Sequence, residues 1–151
     1  MRGGTENFYG IVGLAKAMDE ACNNMKVWEE KITEVRSYLI DQLKENVEDV
    51  QFNSLIDEPS LYTVLSVCFP PSEKSEMLLL GLDIAGISCS GGSACSSGSE
   101  KGSHVVEAIG SDPNRKTVRF SFSHYNTKED IDGLMTALLP LVSSSKEAIA
   151  G

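Results

Sequence analysis

Trp28, Ile32, Val35, Leu39 and Leu43 recur at intervals of four, three, four and four residues. That spacing lays a single apolar stripe along an amphipathic helix. Upstream, Ile11, Val12, Leu14, Ala15 and Met18 predict a helix of their own. Thr5 or Asn7 suits its start, because either side chain can accept from a free N–H of the first turn. Together the two stretches would span about 60 Å at 1.5 Å per residue. The polar pair Asn23 and Asn24 is the expected place for a bend. An element this long predicts a bridge between two bodies, of which these residues build one.

Further along, Leu-Tyr-Thr-Val-Leu-Ser-Val-Cys-Phe at 61–69 is rich in β-branched and aromatic types and predicts a strand. Pro70 and Pro71 end it, and a helix is expected over 75–85 until Gly86 stops it. Residues 87–89 predict a short strand. Ser103 is placed to cap a short helix carrying Val105, Val106 and Ile109. Residues 117–123 alternate, so Arg119 should face away from Val118 and Phe120. A last helix opens at 126–130 with acidic residues in its first turn. It buries Ile131, Leu134, Met135, Leu138, Leu139 and Val142, and Pro140 should kink or end it. The order predicts an α+β fold, a small, mostly antiparallel sheet covered on one face by helices. The expected parts are a loop at 1–7, linking helices at 8–47, an α+β body at 60–142 and a tail at 143–151.

Composition narrows the partners. The 151 residues are 41% hydrophobic, enough for one real core, and their net charge of −9 disfavours nucleic acid and anionic membranes. No apolar run approaches the ~20 residues of a membrane span, and no signal-peptide pattern opens the chain. A cytoplasmic protein is expected. Cys22, Cys68, Cys89 and Cys95 include no Cys-x-x-Cys pair, so reduced thiols are expected. A zinc site from Cys89, Cys95 and His104 would need spacings that match no common pattern, and no metal is expected. Cys22 and Cys68 read as packing residues. Cys89 could exchange disulfides with Cys95 on oxidation.

The chemistry concentrates at 89–99, Cys-Ser-Gly-Gly-Ser-Ala-Cys-Ser-Ser-Gly-Ser. Side chains this small offer almost no apolar area for a core. A thiol on such a loop, ahead of a helix start, is a candidate nucleophile, because the thiolate is the reactive form.

Four segments in matching order resemble the pyridoxal-phosphate-dependent cysteine desulfurases of the class V aminotransferase family. They are Arg2-Gly3-Gly4-Thr5-Glu6-Asn7, the loop from Gly92 to Ser99, Ser103-His104-Val105-Val106, and Val118-Arg119-Phe120-Ser121 followed by Asn126-Thr127. The resemblance implies the C-terminal small domain of a fold-type I enzyme, with a long helix leading to a large domain. Family members hold the cofactor, pyridoxal 5'-phosphate, on a lysine in a Ser-x-His-Lys context that this sequence lacks. The 151 residues are therefore expected to be inactive alone.

By the same resemblance Cys95 is the nucleophile that takes sulfur from L-cysteine as a persulfide, releasing alanine. Arg119 grips the substrate carboxylate, for which a planar guanidinium is suited. Thr5 reaches the cofactor phosphate of the other subunit in a homodimer, with Arg2 in support. The implied partners are L-cysteine and a sulfur-acceptor or scaffold protein, serving iron–sulfur cluster assembly or another sulfur-transfer pathway. Family loops commonly continue Leu-Glu-Pro-Ser where this chain has Glu100-Lys101-Gly102-Ser103, which bears on the acceptor. The alternatives are a class V transaminase or lyase of the same fold, and a non-catalytic sulfur-relay or interaction module.

Overall fold

A computed structural model describes residues 3–72, 74–91 and 104–143. Cys95, Arg2 and Ser103 lie outside the described residues, as do 144–151 of the expected tail. The order is α1 (Phe8–Asn46), β1 (Gln51–Phe52), β2 (Val64–Phe69), a 3-10 turn (Ser75–Met77), α2 (Leu78–Ile84), β3 (Ser90–Gly91), α3 (His104–Ala108), β4 (Lys116–Ser121) and α4 (Lys128–Val142). The strands form one antiparallel sheet in the order β1-β2-β4-β3, and helices cover one face.

The core sits on the helix side. Leu65, Val67 and Phe69 of β2 and Val118 and Phe120 of β4 point into it. They meet Ile32, Val35, Leu39 and Leu43 of α1, Leu78 and Leu82 of α2, and Ile131, Leu134, Met135 and Leu138 of α4. Burying each of these side chains contributes roughly 1.5–3 kcal/mol. Arg36 is buried as a whole residue, 6% exposed. Its guanidinium donates to the Leu55 carbonyl (3.0 Å), and to the Ser60 hydroxyl and Val64 carbonyl (3.4 Å each), which pins the connection from β1 to β2. Desolvation lowers its pKa.

α1 is a single helix of 39 residues, unbroken at Asn23 and Asn24. Both asparagines are satisfied within the helix. Asn23 donates to the Asp19 carboxylate at 3.0 Å and Asn24 to the Glu20 carbonyl at 2.8 Å. Asn7, rather than Thr5, caps its start, accepting from the Gly10 N–H at 3.1 Å. Ile11, Leu14, Met18, Ala21, Met25, Trp28, Ile32, Val35 and Leu39 recur alternately at three and four residues, forming one continuous seam. From Ile32 onward the seam is buried, whereas Ile11, Leu14, Met18, Ala21 and Met25 are exposed. Cys22, expected to pack, is exposed on this same half.

Strand and helix ends also differ from expectation. β2 begins at Val64, because Tyr62 and Thr63 form a turn. The short strand falls at 90–91 instead of 87–89, since Ile87 belongs to the cap of α2. The Ile87 N–H reaches the Leu82 carbonyl and the Gly86 N–H reaches Asp83, a Schellman closure that needs the positive φ of Gly86, +79°. Gly110 (φ +72°) closes α3 in the same way, with Ser111 N–H on the Val106 carbonyl. α4 continues two residues past Pro140 and ends at Val142. Its start is a capping box. Thr127 accepts from the Asp130 N–H, and Asp130 accepts from the Thr127 N–H at 3.0 Å.

Candidate functional site

The open face of the sheet, opposite the helices, is polar. β4 alternates Val118 and Phe120 inward with Thr117, Arg119 and Ser121 outward, and Arg119 is exposed, as its spacing predicts. Arg119 pairs with Ser66 of β2 on one side and Ser90 of β3 on the other. Its guanidinium has no ion-pair partner among the described residues.

The two flanking serines are not equivalent. Ser66 turns its N–H toward the Ser54 hydroxyl and its carbonyl toward the Asn53 N–H, both at 2.9 Å. The N–H and C=O of a strand residue point the same way. The Ser66–Arg119 rung is therefore a non-hydrogen-bonded pair, in which Cα atoms approach to about 4.5 Å. The adjacent rung of this kind, Cys68–Thr117, brings Sγ to 3.3 Å from Oγ1. Ser90 lies across the hydrogen-bonded rung, where facing Cα atoms stand about 5.5 Å apart. Asn53 Nδ2 donates to both the Ser66 hydroxyl (3.5 Å) and the Thr117 hydroxyl (3.4 Å). Sequence patterns could not find Asn53 and Ser66, because only strand register places them beside Arg119.

β3 ties Arg119 to the cysteine loop. Its Ser90 and Gly91 pair with Arg119 and Val118, and Cys95 follows Gly91 by four residues. Cys89, just before β3, is half-buried against the core, and burial, then Asp83, pushes its thiol pKa up. His104 opens α3.

Thr5 is exposed and stands ahead of α1. Trp28 lies twenty positions after Phe8 along the helix, about 30 Å of axis. The structure does not bring Thr5 to Arg119. An ideal Cβ at Gly3 or Gly4 would meet nothing within 4 Å, and Gly4 has φ +120°. The backbone here is open to close approach by a group as bulky as a phosphate. On the helix side a separate cleft of about 640 Å³ lies between Gly86–Ser88 and the start of α4, and it contains none of the predicted site residues. Among the described residues no group of three or more His, Cys, Asp or Glu could hold a metal ion. No helix among them is long and apolar enough to cross a membrane.

A model of the family described as aminotransferase class-V matches residues 1–134. The chain is 37% identical over 139 residues to cysteine desulfurase IscS of Dictyoglomus turgidum, covering 91% of this chain and 35% of the relative. It is 37% identical over 149 residues to cysteine desulfurase IscS of Clostridium botulinum (97% and 37% covered). With a cysteine desulfurase of Sinorhizobium fredii it shares 38% over 152 residues (97% and 38%). Among solved structures it is similar to a NifS-like protein with a TM-score of 0.73 and 29% identity, covering 92% of this chain and 34% of that one. The NifS-like protein of Rickettsia africae gives a TM-score of 0.72 and 26% identity (93% and 36%). The chain thus spans little more than a third of the length of these relatives.

Proposed function

The chain belongs to the class-V aminotransferase family, and from that premise we propose that it is the small-domain part of a cysteine desulfurase. The observation that carries this reading is the pairing of exposed Arg119 with Ser90, the residue five positions before Cys95 in the sequence. Five extended residues reach at most about 18 Å, which limits how far the thiol can stand from the strand position opposite Arg119.

In this reading Arg119 binds the carboxylate of L-cysteine through its two-pronged donor edge. The Cys95 thiolate attacks the substrate sulfur. The carbon–sulfur bond breaks, its electron pair stays with the substrate carbon, which takes up a proton from water, and the enzyme keeps the sulfur as a persulfide while alanine leaves. Pyridoxal phosphate, when bound, supplies the electron sink that weakens that bond. The segment at 3–5 fits its phosphate, with open glycine backbone and an exposed Thr5 hydroxyl. In this reading Thr5, with Arg2 in support, serves the cofactor phosphate of a partner subunit in a homodimer, and the separation of Thr5 from Arg119 along α1 supports it. The lysine for the cofactor comes from a body outside these 151 residues, and the exposed seam of α1 packs on that body. The persulfide passes to an acceptor or scaffold protein in the cytoplasm.

The test uses the full-length protein that carries these residues, incubated with L-cysteine. Alanine and a persulfide on Cys95, read by mass spectrometry, are expected to form in equal amounts in a single turnover. Cys95→Ser should lose the persulfide. Alanine released without sulfur on any cysteine would favour the transaminase or lyase reading instead. The 151 residues alone should give no stoichiometric absorbance band with pyridoxal phosphate.

A further inference from the structure

From the register of the open sheet face we infer that Ser66 is a second donor to the carboxylate that Arg119 receives, with Asn53 orienting its hydroxyl. The inference rests on the assignment of Arg119 above and goes beyond it. Three observations carry it.

First, Ser66 faces Arg119 across the closer of the two kinds of rung. Its rung is the non-hydrogen-bonded kind, and the next such rung already shows side chains touching at 3.3 Å. Second, the Ser66 hydroxyl is half committed. Asn53 Nδ2 donates into its oxygen at 3.5 Å, while among the described residues its own proton has no acceptor. An oxygen held from behind by an amide donor presents its proton forward. The Thr117 hydroxyl differs, because the Cys68 thiol lies against it. Third, a carboxylate has about four lone-pair sites, of which a bidentate guanidinium takes two. A neutral hydroxyl beside the guanidinium fills a third without adding charge. Ser90, on the wider rung, is placed for backbone pairing and not for this contact.

The experiment uses the ¹⁵N-labelled 151-residue chain and follows the Arg119 Nε–H signal. The ligand is L-cysteine under reductant, and cysteamine, which lacks the carboxylate, is the control. L-cysteine should move the signal and cysteamine should not. Ser66→Ala should weaken L-cysteine binding by about tenfold, the worth of one hydrogen bond to a charged group. Ser66→Thr keeps the hydroxyl and should stay within about twofold, as should Ser90→Ala on its wider rung. Asn53→Ala should cost about threefold, and the Asn53→Ala, Ser66→Ala double variant should bind no more weakly than Ser66→Ala alone. That coupling separates an orienting role from a structural one. Wild-type affinity in Ser66→Ala, or an equal loss in Ser90→Ala, overturns the role of Ser66 and leaves Arg119 standing. An Arg119 signal that L-cysteine does not move in the wild-type chain overturns both.

Discussion

The Trp28 indole lies flat on the His124 imidazole, their centroids 4.1 Å apart and their planes 4° from parallel. The contact marks where α1 joins the body. Beyond it toward the N-terminus the helix seam is exposed, and from Ile32 onward it is buried. Tyr125, itself 79% exposed, lies against His124 with its ring centroid 3.9 Å away and its plane tilted by 41°.

Trp28 is the sole tryptophan, and its fluorescence reports this joint alone. His124→Ala should expose the indole, shifting its emission to longer wavelength. An aromatic stack is worth roughly 0.5–1.5 kcal/mol beyond burial, and a domain of this size loses about 2–4 °C of melting temperature per kcal/mol. An unchanged spectrum would show that the stack does not form in solution.

The two halves of the α1 seam should respond differently to substitution. Leu14 and Met18 are 63% and 59% exposed, whereas Leu39 is fully buried. Replacing Leu14 and Met18 together by Glu should leave the melting temperature of the 151-residue chain nearly unchanged, as surface changes usually stay within about 0.5 kcal/mol. Leu39→Ala should cost about 2–5 kcal/mol, because it opens a cavity between α1 and the sheet. Thermal denaturation by circular dichroism measures both. A large loss from the Leu14 and Met18 pair would mean that the exposed half is already packed on something, a second copy of the chain included.

The stripe at Trp28 to Leu43, the alternation around Arg119 and the helix start at 126–130 were legible because each is a local pattern with one favoured geometry. β1 was not, since two residues carry no periodicity and only pairing with Cys68 and Val67 defines the strand. Asn23 and Asn24 leave the helix unbroken because their side chains bond back into it. Cys22 is a different case. Its place on a helix signals packing, but that half of α1 is exposed among the described residues. In the site, Arg119 could be read from the strand motif, whereas Ser66 and Asn53 are separated from it by more than fifty residues. No sequence spacing encodes that adjacency; the hydrogen-bond register of β1, β2 and β4 creates it.

Ion pairing across α1 and α4 gives a pH dependence of stability. Lys128 Nζ lies 2.6 Å from the Glu34 carboxylate. The hydrogen bond and charge of Lys128 lower the Glu34 pKa, and Glu34 in turn raises that of Lys128. A carboxylate with a depressed folded-state pKa contributes stability above its unfolded pKa, near 4.3, and loses it as pH falls through the folded value. A lysine with a raised pKa contributes below about 10.4 and loses it as pH rises through the folded value. The difference in melting temperature between wild type and Glu34→Gln should be level between these limits, shrinking at both ends. Both side chains are exposed, so the difference should be small and should fall with added salt. A salt-independent difference would point to packing instead of charge.

The thiols should label in an order set by exposure and charge. Cys68 is 2% exposed, with its sulfur 3.1 Å from the Ser111 hydroxyl and 3.3 Å from that of Thr117. It should stay unmodified by iodoacetamide until the chain unfolds. Cys89 is half-buried with a raised pKa. Its thiolate is scarcer than that of an ordinary thiol at pH 8, so its labelling should be slow and keep accelerating above the pH where ordinary thiols level off. Cys22 is exposed on α1 and should label early, which removes exposure alone as the reason for expecting Cys95 to react first. If Cys95 is the nucleophile, it should outpace Cys22 through its thiolate fraction, and the gap should widen as pH falls from 8 to 6. Peptide mapping by mass spectrometry resolves all four sites. A Cys95 rate that tracks Cys22 across that range would leave the loop thiol ordinary, and the sulfur-accepting role would have to be sought elsewhere.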